Sequence, residues 1–232
     1  MSGTSITIKG RAGSFSGYLA TPDSGRGPGI VVIQEIFGVN AVIRGIADNL
    51  AGAGFTALCP DLFWRLEPDI ELTDQNEQDW QQAFDLFGRF DVDGGVDDIA
   101  DTISHLRSLD SCTGKVGAVG YCLGGLLAYL TACRTDINTS VGYYGVNIQN
   151  YLTEAVQIKN PLMLHIASKD EFVPPEAQAQ IRAGLDKNTH TSIHVYEGQD
   201  HAFARQGGAH FDEAAAKLAN NRTADFFNTH MR

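Results

Sequence analysis

The order in which apolar runs and helical periods follow one another constrains this chain more than any other feature. Ile30-Val31-Val32-Ile33 is an unbroken β-branched run, the pattern of a strand buried on both faces of a mainly parallel sheet. Phe55 to Leu58, Val116 to Val119, Val141 to Tyr144, Leu162 to Ala167 and Ile193 to Tyr196 repeat it. Between these runs lie segments of helical spacing. Val39, Val42, Ile43, Ile46 and Leu50 form one, with Asn40 placed to cap it and Gly52 and Gly54 to end it. A second opens at Asp74, paired with Glu77 in a capping-box-like spacing, and a third uses Val96, Ile99, Ile103 and Leu106. Helices are also predicted over Leu123 to Cys133, Glu176 to Lys187 and Asp212 to Phe227. Two short strands, Ile6 to Lys9 and Phe15 to Ala20, precede the alternation and read as antiparallel. Such alternation implies right-handed crossovers and an α/β fold: a doubly wound, mostly parallel sheet flanked by helices in a three-layer sandwich. Functional residues then gather at the carboxyl ends of the strands.

No repeat, low-complexity tract or Pro/Ser-rich linker interrupts the 232 residues, so a single domain over 1–232 is expected. Seventeen basic against twenty-eight acidic residues give a net charge of −11, a field that repels phosphate backbones and anionic bilayers. Neither nucleic acid nor a membrane is an expected partner; a small-molecule substrate is. The start of the chain lacks the charged-then-apolar pattern of a signal peptide, and no apolar run has the length of a membrane span, so the expected location is cytoplasmic. Cys59, Cys112, Cys122 and Cys133 contain no Cys-x-x-Cys pair and read as free thiols. No metal site is indicated: His190 and His194 share no predicted helix face, and His165 falls inside an apolar strand as a hydrogen-bonded core residue. His105, His210 and His230 read as helix-surface positions.

Chemistry enters at Gly120-Tyr121-Cys122-Leu123-Gly124-Gly125, which lies between an apolar strand and a helical run. That is the context of a Gly-x-nucleophile-x-Gly elbow, where small neighbours let the chain bend sharply and let helix approach strand. A helix amino terminus favours a thiolate and a developing oxyanion. Read alone, Cys122 is equally a buried structural cysteine beside a tight turn. Asp170, after the strand Leu162 to Ala167, and His201, after the strand Ile193 to Tyr196, tip the balance. Separately they read as a loop cap and a turn residue. Nucleophile, acid and histidine in this chain order, each on the loop after its own strand, is the order of an α/β-hydrolase triad. Backbone N–H groups of Leu123 and Ile36 are the predicted oxyanion hole. Phe37, Trp64, Trp80 and Tyr144 are candidate pocket aromatics, equally suited to the core.

Five ordered motifs make the chain similar to the dienelactone hydrolase (carboxymethylenebutenolidase) family over nearly its full length. They are Gln34-Glu35-Ile36-Phe37-Gly38, Cys59-Pro60-Asp61-Leu62, the elbow, Lys169-Asp170-Glu171-Phe172-Val173-Pro174 and His201-Ala202-Phe203-Ala204-Arg205. The resemblance implies an α/β-hydrolase fold, no cofactor, a monomer, and a Cys-Asp-His triad that opens cyclic enol lactones in the breakdown of aromatic compounds. It also implies that Glu35 contacts the resting thiol and swings away as ligand binds, and that Arg205 binds the substrate carboxylate. A planar, bidentate cation suits that task in so acidic a protein. A second arginine expected near Trp80 is absent; Trp80-Gln81-Gln82 stands there, and Arg89 is the nearest replacement.

Two other readings compete. A class I glutamine amidotransferase also uses a Gly-x-Cys-x-Gly elbow but places a glutamate two residues after its histidine, where this chain has Phe203. A catalytically silent binding module would share the fold without the activity, and the intact set Cys122, Asp170 and His201 argues against it.

Overall fold

The computed structural model describes residues 3–232 as two compact units, divided between Ala118 and Val119. In the first unit β1 (Thr4–Gly10) and β2 (Gly13–Ala20) form an antiparallel hairpin, followed by β3 (Gly27–Ile33), α1 (Ala41–Gly52), β4 (Thr56–Pro60), α2 (Glu77–Arg89) and α3 (Val92–Ser108). The strand β5 (Cys112–Tyr121) begins in this unit. The strand order is β1-β2-β4-β3-β5, with β2 antiparallel and β3 parallel to β4. Ile30, Val31, Val32 and Ile33 are fully buried, as a strand covered on both faces requires. Helix α1 packs on β2, β3 and β4, and α3 packs on β1, β3 and β4.

Asn40 caps α1 as its position predicts, its side chain accepting from the Ile43 N–H at 3.2 Å. The start of α2 differs from expectation. Asn76, not Asp74, is the cap: it accepts from Asp79 N–H at 2.9 Å, while the Asp79 carboxylate accepts from Thr73 N–H at 2.8 Å. The helix therefore begins two residues later, and Asp74 lies in the turn before it.

The second unit holds the end of β5, then α4 (Leu123–Arg134), β6 (Thr139–Tyr143), a 3-10 helix (Ile148–Gln157), β7 (Leu162–Ala167), α5 (Pro175–Leu185), β8 (Thr191–Tyr196) and α6 (Glu213–Met231). Strand order here is β5-β6-β7-β8, with β7 parallel to both β6 and β8. Every residue of α4 from Leu123 to Cys133 is buried, because its sequence is apolar on all sides and offers no solvent face. Helix α4 packs on β6 and the 3-10 helix, which α5 also contacts, and α6 packs on β6. The 3-10 helix has no counterpart in the periodicity, since it buries only Ile148 and Ala155. His210 corrects another expectation: it lies in the loop before α6, not on a helix.

Candidate active site

At the end of β5 the chain turns through Cys122, whose φ of 55° and ψ of −115° are strained for a residue with a side chain. The elbow is held from both sides. Cys122 N–H donates to the Tyr143 carbonyl at 3.0 Å, and the Cys122 carbonyl accepts from Gly125 N–H at 2.9 Å and Leu126 N–H at 3.3 Å. Two glycines make room for it. A Cβ on Gly120 would collide with the Gly124 carbonyl, and one on Gly125 would lie 2.6 Å from the Tyr143 carbonyl oxygen. Leu123 opens α4, so its N–H belongs to the turn that has no earlier carbonyl to donate to. Cys122 is partly exposed, whereas Cys59, Cys112 and Cys133 are buried. Burial pushes the Cys59 thiol up and raises that of Cys133 to about 11, so neither supplies a thiolate.

Asp170 and His201 meet directly: His201 Nδ1 and Asp170 Oδ2 are 2.8 Å apart, and the two residues are 8% and 2% exposed. The second carboxylate oxygen accepts from Phe172 N–H at 2.9 Å and Val173 N–H at 3.2 Å, which fixes the orientation of the acid. Gln178 braces this loop, its amide donating to the carbonyls of Ala167 at 3.1 Å and Val173 at 2.7 Å. The acid and base loops are tied together by Lys169 N–H to Gln199 carbonyl at 2.9 Å and Gly198 N–H to Ser168 Oγ at 2.8 Å.

Burial by itself lowers the pKa of His201. The charge of Cys122, hydrogen bonds to Asp170 and Cys122, and the charge of Asp170 outweigh it and raise the imidazole to about 10. A histidine bonded to Cys122 on one side and Asp170 on the other is therefore held in its protonated form near neutrality.

Aromatic rings complete this part of the site. Tyr144, at φ 39°, packs edge-on to His201 at 5.0 Å, and Phe172 does so at 4.9 Å. Ala202 also has a positive φ, 61°, and turns the chain so that Arg205 N–H donates to the Ala202 carbonyl at 2.9 Å. Arg205 is only 5% exposed. His210 Nδ1 lies 3.2 Å from the His201 carbonyl oxygen.

In the first unit, Glu35, Ile36 and Phe37 follow β3 and are all buried. Gln34, which sequence reasoning did not single out, links the loops after β3 and β4: its side chain accepts from Leu62 N–H at 3.0 Å and donates to the Glu35 carbonyl at 3.4 Å. Phe37 packs edge-on to Trp80 at 4.9 Å, and Trp80 stacks on Phe84 at 5.3 Å, which is 46% exposed. The Trp80 indole N–H is bonded to the Asp74 carbonyl at 3.1 Å. Trp64 is placed elsewhere. Its ring stacks on Phe15 at 5.6 Å, its N–H donates to Asp98 at 2.9 Å, and Arg65, also paired with Asp98, covers it at 4.3 Å. Arg89 forms exposed ion pairs with Asp85 at 2.7 Å and Glu67 at 3.9 Å. Among the described residues no group of three or more His, Cys, Asp or Glu side chains is placed to hold a metal ion.

The dienelactone hydrolase family model matches residues 15–231. A relative in Azospirillum brasilense that bears the carboxymethylenebutenolidase name is 46% identical, over 98% of this chain and 99% of its own length. Carboxymethylenebutenolidase 1 of Cupriavidus pinatubonensis is 40% identical, over 96% and 94%. A solved structure from Klebsiella pneumoniae under the dienelactone hydrolase name has a TM-score of 0.87 and covers 97% of each chain. At 24% identity that likeness is one of fold, and the fold is the α/β-hydrolase fold.

Proposed function

This chain belongs to the dienelactone hydrolase family, an enzyme family of lactone hydrolases, and from that premise we propose that it opens a small anionic lactone or ester, dienelactone foremost, through a thioester on Cys122. The observation that carries the reading is the imidazole of His201, bonded to Asp170 at 2.8 Å on one side and to Cys122 on the other.

In the first step the Cys122 sulfur forms a bond to the acyl carbon, and the carbonyl electrons move onto oxygen. Leu123 N–H and Ile36 N–H are assigned to that oxyanion. Collapse breaks the bond to the ring or ester oxygen, which leaves as an enolate or alkoxide and takes the proton from His201. The imidazole, now neutral, removes a proton from water as the water oxygen attacks the thioester, and the sulfur departs as thiolate. Asp170 holds the ring in one orientation through both steps. The acid product is released and the imidazolium is restored.

Arg205 is assigned to the substrate carboxylate, Glu35 to contact with the resting thiol, and Phe37, Trp80 and Tyr144 to the apolar part of the substrate. The family's second arginine is missing where Trp80 stands, and Arg89 is committed to Asp85 and Glu67, so a single buried guanidinium carries anion recognition. The Nδ1 partner of His201 is Asp170 and not a residue two positions on, where Phe203 stands, which favours the hydrolase over the amidotransferase reading.

The test is kcat/KM for dienelactone and for a neutral aryl acetate, with native protein and Cys122→Ala in parallel. Lactone opening that disappears in Cys122→Ala is the expected result. Cleavage of aryl acetate alone would retain the triad and reject dienelactone, and turnover that survives in Cys122→Ala would reject the cysteine mechanism.

A further inference from the structure

In the second unit, six side chains from β6, β7, β8 and α6 form one polar chain, of which Tyr143, His165, Tyr196 and Thr223 are buried and the ends, Asn220 and Arg222, reach the surface. Arg222 Nη1 donates to Tyr196 Oη at 3.2 Å, Tyr196 Oη lies 2.8 Å from His165 Nδ1, and His165 Nε2 lies 3.0 Å from Thr223 Oγ1. Thr223 Oγ1 is 2.6 Å from Tyr143 Oη, which donates to Asn220 Oδ1 at 3.0 Å. Its direction is fixed from one end. A guanidinium cannot accept, so Tyr196 accepts from Arg222 and turns its own hydrogen to His165 Nδ1. Nδ1 is then an acceptor, and a neutral imidazole carries its hydrogen on Nε2 and gives it to Thr223. Thr223 donates to Tyr143, and Tyr143 to Asn220. Burial, and then the neighbouring His194 and Arg222, keep His165 far below the ordinary histidine range, in accord with its neutral place in the chain.

The same strand residues hold the catalytic loops with their carbonyls. Tyr143 accepts from Cys122 N–H at 3.0 Å, and His165 accepts from Tyr144 N–H at 2.7 Å. Tyr196 accepts from Ser168 N–H at 3.1 Å and Gln199 N–H at 3.3 Å, each two residues before a member of the acid–base pair. Side chains bonded within the chain to α6 thus belong to the same residues whose carbonyls hold the elbow (Tyr143), the adjoining Tyr144 (His165), and the acid and base loops (Tyr196).

We propose that Thr223 and His165 are positioning residues: a directed hydrogen-bond chain centred on the Thr223 hydroxyl sets the ends of β6, β7 and β8 in register on α6 and thereby aligns Cys122, Asp170 and His201. The proposal rests on the triad assigned above. Fully paired buried networks fix one arrangement of their surroundings, and a break leaves partners unsatisfied and the arrangement loose.

Thr223→Val keeps the shape and removes the hydroxyl, whereas Thr223→Ser keeps the hydroxyl. With aryl acetate as substrate, Thr223→Val is expected to lose on the order of ten- to a hundredfold in kcat, the scale of a misaligned site, with KM changed by less than about twofold. Thr223→Ser is expected to recover most of that loss. Native kcat in Thr223→Val, or a Thr223→Ser variant as slow as Thr223→Val, would overturn the proposal. Should Thr223→Val not fold, Tyr143→Phe is judged by the same kcat criterion. Nitrogen-15 NMR of the native imidazoles supplies an arm independent of turnover: His165 is expected to be neutral with hydrogen on Nε2, and hydrogen on Nδ1 would overturn the directed chain. A native protein without Cys122-dependent turnover would instead reject the triad reading and leave this NMR result standing.

Discussion

The raised pKa of the His201 imidazole makes the fold sensitive to alkali. A base whose folded pKa exceeds its unfolded value stabilises the fold fully below the unfolded value, about 6.5 for imidazole. That contribution is lost as pH rises through the folded value, here about 10. The urea midpoint of the native protein is therefore expected to fall more steeply from neutral pH to about 10 than that of His201→Gln; equal slopes would show that the imidazole is not held protonated. The positions of Cys122, Asp170 and His201 were readable in the sequence because each stands directly after an apolar strand, where α/β topology gathers functional residues. Thr223 was not: its partners Tyr143 and His165 lie 80 and 58 residues away in the chain, and no local pattern encodes such a meeting. Trp64 shows the converse. Its residue type suits a ligand wall, but its ring and N–H are engaged with Phe15 and Asp98, and side-chain identity does not say in which direction a ring is spent.

Each expected strand is present because β-branched runs flanked by glycine and polar residues allow few alternatives; Leu162 to Ala167 matches β7 throughout, whereas β5 runs from Cys112 to Tyr121, well beyond the apolar run Val116 to Val119 that marked it. Helix ends were less certain where several capping side chains crowd one turn. Asp74, Asn76 and Asp79 all crowd the turn before α2, where Asn76 is the cap and accepts from the N–H three residues ahead while Asp79 turns back to Thr73. Asn76→Ala is accordingly expected to lower stability by about 1 kcal/mol, read from urea unfolding, with a smaller loss in Asp74→Ala. An equal loss in both would place the cap at Asp74 after all. Helix α4 makes the related point that a weak amphipathic signal does not mean a weak helix. Its glycines and alanines let it lie close to β6, and its stability comes from burial on every side.

On the scale of the whole molecule, a net charge of −11 opposes the approach of an anionic substrate, and salt screens that repulsion over about 10 Å at 0.1 M. Raising ionic strength is expected to increase kcat/KM for an anionic ester while leaving a neutral ester of the same size unchanged. A decrease for the anion would mean that the local field of Arg205 governs capture. Family and fold were readable because five motifs occur in the right order; the substrate was not, since it depends on how a few pocket side chains are deployed. Finally, three of the four thiols are enclosed and only Cys122 reaches solvent. A chromogenic disulfide should therefore release one equivalent of dye per folded chain and about four after unfolding, so that the chain itself counts the fraction of competent molecules in any preparation before a substrate is known.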